Sequence, residues 1–433
     1  MKLIRTTGRN ARAAAETLAE LERRGGKALD SVLPAVKRIV SDVRKQGDRA
    51  LVRYAAKFDG LATTENGVAA LRVTQEEMAA AWKVLDPALR DALSAAAAQI
   101  RGFAQRQMPA SWSDSTTVGL TTGQLVRPIN SVGCYVPSGR HPLPSTLLMT
   151  AIPAQVAGVK RIVVVSPKPA PETLAAAHLL GIDEFYRLGG AHAVAALAYG
   201  AASLPRVDKI VGPGNLYVTA AKRLVAFDCA IDVLAGPTEI VVASERGNPA
   251  EIASDLVAQA EHDPEALAIF VTTRVDFARA VIAETKQRSR NNAVAREALR
   301  RNGMAIVAGS VGEAREIANR LAPEHLTVDT ASDLEWVQNA GSVFVGRWSS
   351  QPMGDYVSGP NHTLPTGGMA RVRGGLSVND FVKLITVQEY NAKGVENLGP
   401  KAALLAEAEG LSGHAEAIRV RLRKTPNPRR ARG

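Results

Sequence analysis

From about Ser131 onward, short runs of β-branched residues alternate with alanine-rich stretches of helical spacing, the rhythm of βαβ units around a parallel sheet. Arg161-Ile162-Val163-Val164-Val165 reads as a strand, residues 172–180 as a helix, 184–188 as a strand and 191–199 as a helix. Lys209-Ile210-Val211 then passes through Gly212-Pro213-Gly214-Asn215 into a helix over 216–227, and this unit closes near residues 239–243. A second set follows, with helices over 249–260, 275–285 and 311–320 and strands over 267–272, 304–307 and 342–345. Two similar α/β domains are implied. The first 110 or so residues differ, with apolar positions at helical spacing over 13–23, 32–46, 76–84 and 87–107, and read as a helical lead-in. Beyond Gly354 the chain is rich in glycine and proline, as expected of a segment that crosses a surface or lines a site. A helical tail over 402–408 follows.

A chain of 433 residues exceeds what one core usually fills, which supports the two-domain reading. At 46% hydrophobic and 22% charged residues, it reads as an ordinary soluble globular protein. The first residues, Met1-Lys2-Leu3-Ile4-Arg5-Thr6-Thr7-Gly8-Arg9-Asn10, lack a signal-peptide apolar core, and no later run reaches the roughly 18 apolar residues of a membrane span. A cytoplasmic location is expected. The net charge of +11 invites a nucleic-acid reading, but seven of those charges, from Arg419 to Arg432, lie in a carboxy-terminal stretch with no acidic residue. A solvated, disordered tail over 425–433 explains them better than a binding arm.

Only two cysteines occur, Cys134 and Cys229, with no CxxC spacing, so neither a disulfide framework nor a thiolate zinc site is expected. Any metal must rest on imidazole, carboxylate and amide groups, a set that suits zinc or manganese. There are seven histidines, and His262, His325, His362 and His414 have acidic, amide or glycine-rich neighbours. Gln259 and His262 lie three residues apart at the end of a helix, where they either present two ligands or form an exposed polar face. Asp355 and His362 share the glycine-rich loop, in which Asp355 reads equally as an Asx-turn residue. Glu324-His325 is an adjacent acid–base pair able to serve two different targets, or a plain solvated loop. Gly189-Gly190-Ala191 and Gly212-Pro213-Gly214-Asn215 precede helices and could offer backbone N–H groups to a pyrophosphate, but neither matches G-x-G-x-x-G, and taken alone each is more often a helix N-cap or tight turn.

Taken in order, these motifs resemble the histidinol dehydrogenase family from about Asp30 to His414. The resemblance rests on Gly133-Cys134-Tyr135-Val136-Pro137 with Pro144-Ser145-Thr146, the turn and helix from Gly189 to Gly200, and Val207-Asp208-Lys209-Ile210-Val211-Gly212-Pro213-Gly214-Asn215. Further along it rests on Ala235-Gly236-Pro237-Thr238-Glu239, Gln259-Ala260-Glu261-His262, Ala322-Pro323-Glu324-His325-Leu326 and the loop from Asp355 to Thr366. It implies two successive oxidations of L-histidinol with NAD, through L-histidinal to L-histidine, at one Zn2+ per subunit. Gln259, His262, Asp355 and His414 are implied as zinc ligands, Glu324 and His325 as the water-activating and proton-carrying groups. Thr238, His362 and Glu409 are implied substrate contacts, together with the ligands and His325; Tyr135, His192 and Asn215 are implied cofactor contacts.

Two positions depart from the family pattern: Thr238 stands where serine is common, and His192 where glutamine is usual. Arg140-His141 is also less usual than small residues. The resemblance further implies a homodimer in which Glu409 and His414 complete the partner's site, with no nucleic-acid or membrane partner. The implied fold is two incomplete Rossmann-like doubly wound domains with helical N-terminal and C-terminal segments. The expected divisions are a helical segment over 1–29, a first domain over 30–131 and 241–375 carrying zinc and catalytic residues, and an NAD-binding domain over 132–240. A helical segment over 376–424 and the tail complete the chain. Other readings stay open: oxidation of another primary alcohol such as a sulfonated diol, or a zinc hydrolase with Glu324 as base.

Overall fold

A computed structural model describes residues 1–24, 27–61, 67–138 and 142–422. The chain forms two units, one of Met1–Gln107 with Ile129–Phe381, the other of Met108–Pro128 with Val382–Gly433. The departure at Arg140-His141 and the basic tail over 425–433 lie outside the described residues.

The first unit holds two six-stranded sheets. One is wholly parallel, with strands in the order Lys2–Arg5, Met304–Val307, Leu267–Thr272, Glu239–Ala243, His325–Val328 and Ser342–Val345. Its inner strands are continuous apolar runs because both faces are covered. Ile240, Val242, Ala268 and Phe270 pack toward the helices Pro249–Ala260, Val275–Arg288 and Ala293–Arg301. The alternate residues Val241, Ile269, Val271 and Leu326 pack with Leu18 and Ile317 of the helices Ala11–Glu22 and Val311–Leu321. This is the period of two that a pleated strand imposes.

The second sheet orders Arg72–Val73, Glu184–Tyr186, Arg161–Val165, Ser131–Tyr135, Lys209–Val211 and Ala230–Ile231. It is parallel apart from its edge strand Arg72–Val73. Both domains are therefore doubly wound α/β structures, as the alternating pattern predicts.

Three segments depart from the expected divisions. Lys2–Arg5 is an edge strand of the first sheet rather than part of a helical segment; at four residues, largely exposed, it is too short to show a period. Residues 30–107 sit with the second sheet, not with the domain that bears Glu324 and His325: Leu33–Gln46 packs on Gly190–Tyr199 and Leu216–Val225, Gln75–Val84 on Pro171–Leu179, and Pro87–Arg106 on Pro144–Ala157. Finally, the second unit contains an antiparallel sheet of Trp112–Thr117, Leu120–Pro128 and Val382–Tyr390, where a helical segment was expected from 376. The helices Ala392–Ala408 and Ser412–Leu422 pack on each other beyond it. Among the described residues no helix is long and apolar enough to cross a membrane.

The first core depends on Phe270, which is fully buried and meets Phe277 edge to face with ring centroids 5.3 Å apart. Phe270→Ala is expected to destabilise this domain by about 3–5 kcal/mol, read as a lower urea midpoint, whereas Phe270→Leu should cost about 1.5 kcal/mol or less. Equal midpoints for the alanine variant and the parent would show that Phe270 does not anchor the packing of this face of the sheet.

Candidate active site

The site lies at the amino-terminal edge of the first sheet, where neighbouring parallel strands begin at Glu239 and His325. The helix Val311–Leu321 ends in Ala322 with φ +44°, a left-handed conformation that a side chain rarely adopts. Pro323 then prevents helix continuation. This abrupt reversal places Glu324 and His325 at the head of a strand, both buried.

Glu324 Oε2 accepts hydrogen bonds from the Thr238 hydroxyl at 2.5 Å and from the Glu239 N–H at 2.8 Å. Burial pushes its pKa up to about 7, against the opposing influences of His325, Thr238 and the Glu239 N–H. The Thr238 hydroxyl in turn accepts from Gln259 Nε2. An amide, a hydroxyl and a carboxylate thus form one chain of donors and acceptors. Gln259 is fully buried in the last turn of Pro249–Ala260, and its Oε1 has no hydrogen-bond partner.

His325 Nδ1 lies 3.1 Å from the Glu239 carbonyl. A carbonyl only accepts, so Nδ1 carries the proton and Nε2 presents its lone pair when the ring is neutral. Nε2 is buried without a hydrogen-bond partner, 3.8 Å from Asp355 Oδ1. Burial, the largest influence on this imidazole, disfavours its charged form, yet the nearby carboxylates of Glu324 and Asp355 outweigh it and raise the pKa. Such a group accepts a proton readily near neutrality.

Asp355 was read as a loop residue but belongs to the short helix Gln351–Tyr356, started by Pro352 at its first turn. Its Oδ2 accepts from Gln351 Nε2 at 2.8 Å. Burial opposes ionisation of Asp355, but His325, His362 and Gln351 together hold its pKa below the ordinary value. Gly354 is required here, since a Cβ would come within 2.7 Å of the Phe344 ring, which itself lies beside His325 with centroids 5.9 Å apart.

His362 Nδ1 donates to the Asp355 carbonyl at 2.8 Å. Burial lowers its pKa, which favours neutral imidazole. His325, Phe344, Asp355 and His362 line a cleft of about 370 Å³ together with Trp348 and Met353. His362 Nε2 also lies 3.4 Å from the hydroxyl of Thr146, in the helix that follows strand Ser131–Tyr135. The carboxyl edge of the second sheet therefore meets the amino edge of the first at this site.

The expected metal ligands Gln259, His262, Asp355 and His414, and the expected substrate contact Glu409, divide between the units. Gln259 and Asp355 border the buried acid–base pair, His262 is exposed two residues past its helix, and Glu409 and His414 are exposed residues of the second unit. Among the described residues no group of three histidine, cysteine or acidic side chains is close enough to hold a metal; Gln259 contributes an amide. The donors still suit a divalent cation such as zinc, because the buried Gln259 Oε1 lacks a partner and Asp355 is held ionised.

On the cofactor side the glycine turns are already engaged. Gly189 N–H donates to Asp59 at 3.0 Å, Gly190 N–H to the Tyr135 hydroxyl at 3.0 Å, and Gly212 N–H to Asp232 at 2.7 Å. These three N–H groups serve the protein's own turns, the more ordinary of the two readings the sequence offered. Burial raises the Tyr135 pKa to about 12, so it remains a neutral phenol. His192 is buried with Nε2 2.7 Å from Asp59, and Asn215 caps the helix Leu216–Val225 through the N–H groups of Tyr217 and Val218.

Gln351 and Asp59 carry these arrangements and were not singled out by sequence, whereas Thr146 entered only as part of the Pro144-Ser145-Thr146 motif. The i, i+4 spacing of Gln351 and Asp355 is a local signal once a helix is assumed. Asp59 has none, since it meets Gly189 and His192 about 130 residues away.

The chain is similar to known proteins over most of its length. The profile of the Histidinol dehydrogenase family matches residues 22–422. The histidinol dehydrogenase of Methanothermobacter thermautotrophicus is 46% identical over 419 residues, 94% of this chain and 97% of that protein. That of Geobacter sulfurreducens is 44% identical, with 97% of this chain and 99% of that protein covered. The crystal structure of histidinol dehydrogenase from Elizabethkingia anophelis superposes with a TM-score of 0.90 at 34% identity, with 98% of each chain covered. With the motifs at the head of one buried strand and a match that spans both domains, the chain belongs to the histidinol dehydrogenase family.

Proposed function

We propose that this protein oxidises L-histidinol to L-histidine in two NAD-dependent steps through L-histidinal, with Zn2+ as a resident ion. The observation that carries the reading is the pair Glu324 and His325, adjacent in the chain yet held in different environments. We assign Gln259, His262, Asp355 and His414 to the metal, His414 from a partner subunit. Tyr135, His192 and Asn215 belong to the NAD-binding domain, and Thr238, His362 and Glu409 to substrate recognition. A cytoplasmic homodimer follows from the same reading.

When bound, NAD would supply the hydride acceptor, and Zn2+, held by Gln259, His262, Asp355 and His414, would orient and polarise the substrate. The protein's own groups handle the protons. His325, its Nδ1 proton committed to the Glu239 carbonyl, takes the hydroxyl proton at Nε2 as hydride leaves the alcohol carbon. Glu324 then removes a proton from the water that adds to the aldehyde, and His325 returns its proton to the aldehyde oxygen, which gives the hydrate for the second oxidation and leaves His325 neutral. His325 accepts the hydrate's proton in that step. Burial around Glu324 and His325 keeps competing water out of the first transfer.

Complete turnover should yield two NADH per L-histidinol, followed by absorbance. Glu324→Gln is expected to lower kcat by about 10²-fold or more, the scale of lost acid–base catalysis, and to slow L-histidinal oxidation more than a single turnover of L-histidinol. Release of the aldehyde at one NADH per substrate would refute the two-step assignment.

The raised pKa of Glu324 sets the sign of the pH dependence. Its protonated, inactive form persists up to about pH 7, so aldehyde oxidation should fall as pH drops through about 7, roughly tenfold per unit further down. Glu324→Gln should flatten that limb. A parent profile level from about pH 5 to 8 would exclude Glu324 as the base.

Chelation should remove zinc and activity together, and His262→Asn and Asp355→Asn should each bind less zinc; full activity in the metal-free protein would overturn the ligand set. Mixed subunits of His414→Asn and His325→Asn should regain about a quarter of parent activity, because half the dimers are mixed and each carries one intact site. No recovery after verified subunit exchange would place His414 in its own subunit's site or outside it.

A further inference from the structure

Glu239 touches both catalytic groups with its backbone and is anchored by its side chain. Its N–H donates to Glu324 Oε2 at 2.8 Å, and its carbonyl accepts from His325 Nδ1 at 3.1 Å. The carboxylate, buried with 4% of the side chain exposed, receives Arg24 Nε and Nη2, each at 2.6 Å, one on each oxygen. Gly367 N–H, from the loop that follows His362, adds a third bond at 2.9 Å. Arg24 also donates from Nη2 to the Leu321 carbonyl and from Nη1 to the Leu21 carbonyl, both at 2.7 Å. Leu321 closes the helix three residues before Glu324.

One guanidinium thus fixes the beginnings of two neighbouring strands relative to each other. The bidentate geometry matters, because a planar fork constrains direction as well as distance. Resting on the activity proposed above, we infer that Arg24, acting through Glu239, is a positioning residue for the Glu324–His325 pair and governs the rate of the proton-transfer steps rather than substrate affinity. Arg24 touches no reacting atom. Without it, the buried Glu239 carboxylate loses its only cationic partner among the described residues, and residue 239 is free to shift against both groups that it orients. Displacements on the order of 1 Å in such a constellation reduce rates strongly.

The test uses Arg24→Ala and Arg24→Lys in the zinc-loaded enzyme, with kcat and KM measured for L-histidinol and L-histidinal and zinc content determined. Arg24→Ala should lower kcat about tenfold or more for both substrates, with KM changed by no more than about twofold and zinc retained. Arg24→Lys should fall between, since an ammonium restores the charge but not the fork. Low-millimolar guanidinium chloride should raise the kcat of Arg24→Ala, and sodium chloride at equal concentration should not. A merely destabilised protein would respond to guanidinium in the opposite direction.

An unchanged kcat in Arg24→Ala, a loss confined to KM or zinc, or the absence of guanidinium rescue would each overturn the inference. Should Arg24→Ala fail to fold, Arg24→Lys decides alone: a lowered kcat with KM and zinc retained supports the positioning role, and parent kcat removes it. A parent enzyme inactive on L-histidinol sinks the proposed activity itself, whereas an active parent with an indifferent Arg24→Ala sinks only the role of Arg24.

Discussion

A carboxylate taken out of water must be compensated by hydrogen bonds or nearby charge, or it takes up a proton. Glu324 sits at the balance of these demands. Desolvation is the largest influence on it, and the Thr238 hydroxyl, the Glu239 N–H and the His325 ring offset part of the cost. The surrounding order follows from that requirement. Thr238 donates to Glu324 while its own oxygen accepts from Gln259, which ties the last turn of one helix to the head of a strand. Glu239 must hold its N–H toward Glu324, which leaves its carbonyl to orient His325.

The same economy appears at the carboxyl edge of the second sheet. Asp59 and Asp232 hold glycine turns by accepting their N–H groups, and Lys222 completes the second clamp with bonds to Asp232 at 2.6 Å and the Gly212 carbonyl at 2.5 Å. Gly212, with φ +110°, adopts a conformation that strains other residues. The Gly189 and Gly212 donors face buried carboxylates. The N–H groups of Gly189, Gly190 and Gly212, of the kind that commonly cradle phosphate at a Rossmann turn, are spent on the protein's own acceptors.

What the sequence made legible follows the range of the physics behind each signal. The strands Leu267–Thr272 and Arg161–Val165 announce themselves because burial on both faces leaves no polar position to interrupt the run. Lys2–Arg5 and Val382–Tyr390 do not, because each is a strand only by virtue of its neighbour. Their partners begin about 300 residues later and 260 residues earlier, respectively. Asp355 was hidden by Pro352 and Gly354, which look like loop residues but serve here as a helix start and a close approach to Phe344. In the site, Glu324-His325 is mute as a dipeptide, and the ordered set of motifs singled it out. Arg24 had no signal of any kind, since nothing near it in sequence foretells Glu239.

The environment of the acid–base pair also bears on the order of events. Glu324 and His325 are successive residues at a strand head, so the pleat sends them to different sides, yet Glu324 Oε2 lies 3.7 Å from His325 Nδ1. At that separation in a buried site the two titrate as a coupled pair. In the proposed sequence His325 becomes positively charged when it takes the alcohol proton. That charge favours ionised Glu324, because an adjacent cation stabilises a carboxylate, and the ionised form is the one required to activate water on the aldehyde. The first proton transfer therefore prepares the group that serves the second oxidation, without any movement of the backbone.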